Sequence, residues 1–208
     1  MTPHRMITLM LSACAAMVVT PALGGTALFA GGCFWSVEAN FEKVEGVIEA
    51  VSGFAGGHTE NPTYNEVAYG GDTGHYEVVE VTYDPDVVSY DQLLTVYWHT
   101  TDPTDPTGQF CDKGPMYKPA IFALDDEQMR LAEASKAAIA EESGYTIVTE
   151  IKPEATFYAA GDEHQDFYLT NPAHYERYRI GCGRDDVIRR LWGEKAFLGT
   201  SQNPFPDV

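Results

Sequence analysis

The chain has 208 residues, with 31 acidic against 13 basic side chains and a formal net charge of −18. Such acidity repels phosphate backbones and anionic lipid headgroups, which argues against nucleic acid as a partner. The 44% apolar and 12% aromatic content is enough for one packed domain.

Residues 1–25 differ from the rest. Arg5 precedes an apolar run from Met6 to Val19, then Pro21 and small residues, the three-part pattern of an export signal. The run is short for a membrane span. Cleavage near Gly24–Ala27 is expected, leaving one domain over 26–208 in a periplasmic or extracellular setting. Two other readings stand beside it: "LSAC" (Leu11–Cys14) matches a lipoprotein cleavage box, and the leader can be retained as an anchor. Without Cys14 the chain keeps Cys33, Cys111 and Cys182, and no C-x-x-C is present. An odd count in an oxidising compartment suggests one reactive thiol beside a pair that can bridge.

"TALFAGG" (residues 26–32) predicts a short strand ending in glycines. Val37, Phe41 and Val44 recur at helical spacing, predicting a helix over 36–44 closed by Gly46. "VIEAVSGFAGG" predicts a strand entering a glycine-rich loop, and "HTENPTYNEVAYGGDTGH" a loop with a turn of helix. "HYEVVEVTYDP" is the clearest strand. Its period of two puts Glu77, Val79, Val81 and Tyr83 on one face and Tyr76, Val78, Glu80 and Thr82 on the other. A helix capped by Ser89 follows, then a long loop, "DPTDPTGQFCDKGPMY". An alanine-rich helix comes next, with Asp125 as N-cap, Gln128 three residues later and Gly144 at its end. "YTIVTEIKP" predicts a strand, "GDEHQDFYLTNP" a helical turn or two, and the tail a short helix with Leu191 and Trp192. Strands and helices mix without regular βαβ alternation, which favours α+β.

Three groups of residues carry potential chemistry. Cys33 sits just before a helix, where unpaired backbone N–H groups and the helix dipole favour a thiolate. Phe34 and Trp35 can wall an apolar pocket beside it. The same stretch also suits a buried structural cysteine among core aromatics. Glu77 shares its face with two valines and a tyrosine; burial there raises a carboxyl's pKa and makes it a general acid. Taken alone, Glu77 is better explained by an exposed face or an ion pair. Tyr64 and Tyr117 lie in Pro/Gly-rich loops from which a hydroxyl can enter a cleft, and Asp112 can orient one of them. His75 suits a loop hydrogen bond as well as catalysis. No histidines show metal spacing and no glycine-rich phosphate loop precedes a helix, so neither a metal nor a nucleotide cofactor is expected.

"GGCFWSVEANFEKVEGV", "GFAGGHTENPTYNEV" and "GDTGHYEVVEVTYDP" occur in this order. With them the chain, from about Phe29 to about Pro172, resembles the type A peptide methionine sulfoxide reductases. The resemblance implies a two-layer α+β fold on the split βαβ (ferredoxin-like) plan. It implies reduction of methionine-S-sulfoxide, free or in proteins, by a monomer that needs no bound cofactor and is recycled by an external, thioredoxin-like dithiol. Cys33 matches the family's nucleophile and Glu77 its acid. Tyr64 and Tyr117 match the hydroxyls on the sulfoxide oxygen, Asp112 a neighbouring polar residue, and Phe34 and Trp35 the S-methyl pocket. Ser36 stands where the family usually has glycine. The family's cysteine-bearing tail is replaced by "GCGRDDVIRRLWG", so the resolving thiol is open. Cys182 is the first candidate and Cys111 the second, and a structural Cys111–Cys182 bridge with Cys33 acting alone is the third possibility. A methionine-binding module without turnover and a cysteine hydrolase are the rival functions. The first would not need Glu77, and the second would want a histidine poised on Cys33.

Overall fold

The structure, a computed structural model, describes residues 24–206, so the expected leader lies outside the described residues but for its last two. In chain order the elements are β1 (Gly25–Ala30), α1 (Phe34–Phe41), β2 (Val47–Ala55), α2 (Tyr64–Ala68), β3 (Tyr76–Tyr83) and α3 (Tyr90–Thr100). There follow β4 (Gly108–Gln109), β5 (Asp112–Lys113), a 3-10 turn (Pro115–Tyr117), β6 (Ala120–Ala123), α4 (Asp126–Ser143) and β7 (Glu150–Pro153). The chain closes with β8 (Tyr158–Ala159), α5 (Phe167–Thr170), α6 (Pro172–Gly181) and α7 (Arg184–Trp192).

The six-stranded sheet runs β7-β6-β1-β3-β2-β8. β3 pairs antiparallel with both β1 and β2, and β6 antiparallel with β1. Thus β1, α1, β2, β3, α3 and β6 form the split βαβ plan that the resemblance implies. β7 extends it as a parallel edge through α4, and β8 closes the other edge.

The alternation along β3 decides which face is which. Val79, Val81 and Tyr83 join Phe29, Phe54 and Ile121 under α1, α3, α4 and α7 in the larger core. Val78 and the opposite positions of β1 and β6 form a smaller apolar cluster beneath Tyr76 and Phe157. The caps follow their sequence signals. Ser89 and Gln92 form a capping box, Asp125 accepts from the Gln128 N–H at 2.7 Å, and Gly144 ends α4 at φ +70°. The Gln128 side chain does not reach back to its cap residue; it donates to the Thr26 carbonyl of β1 at 2.7 Å.

Two expectations change. The strand predicted from "YTIVTEIKP" forms only over Glu150–Pro153, where β6 lies alongside; Val148 instead donates to the Pro103 carbonyl. The stretch 172–181, of which the sequence suggested no helix beyond a turn ending at Pro172, is helix α6. It buries only Tyr175 and Arg179, so it lacks the apolar stripe by which a helix is recognised in sequence.

Candidate active site

The site forms where β1 turns into α1. Gly32 takes φ +84°, and a Cβ there would fall 2.5 Å from Cβ of buried Gln109, so both the backbone angle and the close approach require glycine. Two side chains fix this turn. Tyr97 donates its hydroxyl to the Ala30 carbonyl at 2.9 Å, and Arg184 Nη2 donates to the Gly31 carbonyl at 3.1 Å. Cys33 is thereby the N-cap residue of α1, its carbonyl accepting from the Ser36 and Val37 N–H groups. Its sulfur is a free thiol, 7% exposed.

Glu77 arrives from β3, opposite Phe54 of β2, and is 2% exposed. Its Oε2 accepts the Phe34 backbone N–H at 3.0 Å. Burial pushes this carboxyl up to about 8, against the pull of that hydrogen bond. Burial also raises the Cys33 thiol, and the Glu77 charge adds to the effect, whereas Tyr178 pulls the other way. At neutral pH the enclosure therefore holds a protonated acid and a protonated thiol.

Tyr64 opens α2, which is capped by a Thr63–Glu66 box, and Tyr117 ends the 3-10 turn. Burial and the Glu77 charge hold both phenols above the usual tyrosine range, so both remain hydroxyl donors. Phe34 packs against Phe54 and Tyr64, with ring centroids 5.8 and 6.2 Å away. Trp35 stacks on Phe167 at 3.8 Å. Cys33, Phe34, Trp35, Tyr64, Glu77, Asp112 and Tyr117, named from the sequence, thus come to one place. The Ser36 hydroxyl is buried beneath them without a hydrogen-bond partner. His75 lies in the loop hydrogen bonds that its sequence position allowed: Nδ1 accepts from the Gly57 N–H, and Nε2 faces the Thr59 carbonyl at 2.8 Å.

Asp112 departs from its expected partner. It accepts a hydroxyl hydrogen bond at 2.5 Å from Tyr178 of α6, not from Tyr64 or Tyr117. Tyr178 also neighbours the Cys33 thiol and draws its pKa down. One helical turn further, Cys182 caps α6 and is disulfide-bonded to Cys111. The glycines flanking Cys182 belong to a junction between two helices, Gly183 being the N-cap of α7 at φ +67°, rather than to a free tail.

Sequence reasoning missed three residues. Tyr178 lay in the unrecognised helix. His164 was weighed only as a metal ligand; its Nδ1 accepts the Trp35 indole N–H at 3.3 Å and its ring lies 4.4 Å from that of Tyr64. Arg184 is fully buried, with its guanidinium over the Phe110 ring at 4.5 Å. The one available signal was the four-residue spacing of Tyr178 and Cys182, which shares a face only once a helix is assumed.

A family model described as Peptide methionine sulfoxide reductase matches residues 25–196. Peptide methionine sulfoxide reductase MsrA 2 of Rhizobium meliloti is 51% identical over 175 residues, covering 84% of this chain and 87% of that protein. MsrA of Halalkalibacterium halodurans is 52% identical over 171 residues, covering 81% and 96%. Among solved structures, reduced Mxr1 from Saccharomyces cerevisiae superimposes with a TM-score of 0.69 at 30% identity, covering 74% of this chain and 88% of its own.

Proposed function

Since the chain belongs to the peptide methionine sulfoxide reductase family, we propose that it reduces methionine-S-sulfoxide, free and in proteins, with Cys33 as nucleophile and Glu77 as acid. The observation that carries the assignment is the shared enclosure at the start of α1. There a free thiol meets a carboxyl that stays protonated to about pH 8.

A sulfoxide oxygen is a poor leaving group until it is protonated. Glu77 keeps one oxygen on the Phe34 N–H, which leaves the other to present its proton. Tyr64 and Tyr117 add neutral hydroxyls to the same oxygen. Phe34 and Trp35 receive the S-methyl group, with His164 holding the indole in place. Cys33 then loses two electrons and becomes a sulfenic acid, and the substrate sulfur gains them and leaves as methionine.

Cys182 condenses with the sulfenic acid and releases water, and Cys111 then exchanges with that disulfide. Cys33 returns as a thiol and a Cys111–Cys182 bridge remains, which is the redox state found here. The placement of Cys182 one turn beyond Tyr178, which faces Cys33, supports this order. Cys111 is the exposed end of the bridge, open to an external, thioredoxin-like dithiol. The enzyme acts as a monomer, and the leader over 1–25 exports it.

The test is turnover of each epimer of N-acetylmethionine sulfoxide with dithiothreitol. S-selective reduction is expected, abolished in Cys33→Ser. Turnover that survives Cys33→Ser would overturn the assignment.

A further inference from the structure

Glu77 supplies a proton to the sulfoxide oxygen, yet Cys33 must lose its own proton to attack, and Glu77, still protonated, cannot accept it. The structure offers one connected acceptor. Tyr178 stands between the Cys33 thiol and Asp112, and a phenol has a single proton to give. At rest that proton points to Asp112, at 2.5 Å, which frees the Tyr178 oxygen to accept from the Cys33 S–H. Turned to Cys33 instead, the same proton stabilises the thiolate and draws the thiol pKa down.

We propose, on the sulfoxide-reductase reading above, that Tyr178 and Asp112 form the proton exit of Cys33. The S–H proton passes to the Tyr178 oxygen while the Tyr178 O–H proton passes to Asp112. In the same step Cys33 Sγ attacks the sulfoxide sulfur, whose oxygen takes the Glu77 proton, giving a hydroxysulfurane. The substrate S–O bond then breaks as the hydroxyl passes to Cys33 Sγ, and the new S–S bond breaks with its electron pair going to the substrate sulfur. The products are methionine, Cys33–SOH, Glu77 carboxylate and Asp112 carboxylic acid, with Tyr178 again a neutral phenol. Solvent exchange returns a proton from Asp112 to Glu77.

Three further features fit this role. Asp112 is half-buried, which raises its carboxyl and makes it a better base, while the Tyr178 hydrogen bond and the Arg184 charge pull the other way and favour the carboxylate. Arg184 is a wholly buried cation whose Nε and Nη1 lack hydrogen-bond partners. Among the described residues it forms no ion pair within 4.0 Å, and its field acts on Cys33 and Tyr178. A buried charge so placed costs stability unless it faces an anion, and it meets the Asp112 charge at rest and the negative charge that develops on Cys33 and Tyr178 as the proton leaves. Asp112 also lies 3.7 Å from Cys111 Sγ and 3.9 Å from Cys182 Sγ. The carboxyl that takes the first proton is therefore placed to serve the thiols that act next.

The test uses the full chain with its bridge formed, and follows iodoacetamide labelling of Cys33 by peptide mass spectrometry against pH. Labelling needs the thiolate but not the Glu77 proton. The charged and titratable groups facing Cys33 are Glu77, Tyr64, Tyr117, Asp112, Tyr178 and Arg184. Tyr178→Phe keeps the ring and removes only the hydroxyl. It is expected to slow labelling at pH 7 by about 10-fold or more and to slow the first methionine released by reduced protein by about 100-fold, with sulfoxide affinity unchanged. Asp112→Asn should slow first turnover similarly from the other end of the path although loss of its charge eases Cys33 ionisation, so a folding defect in one variant leaves the other decisive. First turnover within twofold of wild type in a folded variant would overturn the relay. Absence of sulfoxide reduction by the wild-type protein would instead defeat the functional reading itself.

Discussion

The Glu77 carboxyl caps the same helix start that holds Cys33, its Oε2 accepting the Phe34 N–H at 3.0 Å while fully enclosed. A helix N-terminus would ordinarily favour the thiolate. Here its first free N–H serves the acid, and burial leaves both groups protonated at rest. The geometry suits a reaction in which nucleophile and acid change charge together.

Activity should therefore fall as pH rises through about 8, where the Glu77 acid is lost. Glu77→Gln should cost on the order of 100- to 10,000-fold in first turnover and abolish that alkaline limb. Rapid-quench release of methionine across pH 6–9 reads both. A limb that persists in the variant would assign it to another group.

The same carboxyl lowers stability. Its folded pKa of about 8 exceeds the ordinary 4.5, so the folded chain binds a proton that the unfolded chain has already released. Stability from this group is present at pH 4.5 and declines as pH rises toward 8. Glu38, pushed up to about 7 by burial, adds a decline that ends near pH 7. Thermal unfolding should thus give a lower Tm at pH 8 than at pH 5.5, with much of the difference removed by Glu77→Gln. That variant should gain about 1–3 kcal/mol at pH 8, the equivalent of one to two pKa units. No gain at pH 8 would show that burial does not penalise the Glu77 anion.

Trp35 is held from two sides, stacked on Phe167 at 3.8 Å and hydrogen-bonded to His164. Trp35→Ala should weaken substrate binding by about 1.5–3 kcal/mol, the loss of one large apolar contact. Steady-state assays should show this as a raised KM, with kcat less affected. Loss confined to kcat would place the indole outside the methyl pocket.

The Cys111–Cys182 bridge sets a countable outcome. Fully reduced wild type, given excess sulfoxide and no reductant, should release two methionines per chain. The first turnover ends in the bridge and frees Cys33 for the second. Cys111→Ser and Cys182→Ser should each release one. One methionine from wild type would make the bridge structural, with Cys33 acting alone.

Much of the site was legible because each clue was local. Glu77 stood out by sharing a strand face with Val79 and Val81, and Cys33 by its place after two glycines and before a helix. The roles of Tyr64, Tyr117 and the Phe34–Trp35 pocket came from the resemblance, because a loop tyrosine carries no periodic signal. Tyr178, His164 and Arg184 were illegible for another reason. Their meaning depends on contacts across 129 to 153 residues, from His164 to Trp35 and from Arg184 to Gly31. Helix α6 concealed Tyr178 further by burying a tyrosine and an arginine in place of an apolar stripe.

The proposed export signal meets a constraint from the sheet. Gly25, Thr26 and Ala27 pair with Tyr83, Thr82 and Val81, and Gln128 donates to the Thr26 carbonyl. Cleavage after Ala27, the far end of the range suggested by the sequence, would remove these pairs and leave the Gln128 amide without its partner. At about 1 kcal/mol for each hydrogen bond, the loss would be about 2–4 kcal/mol. Processing is therefore expected to leave Gly25 in the mature chain. Intact mass of the exported protein gives the N-terminus directly. A chain beginning at Leu28 would contradict the expectation, and the same truncation made deliberately should unfold at lower denaturant than a chain beginning at Gly25.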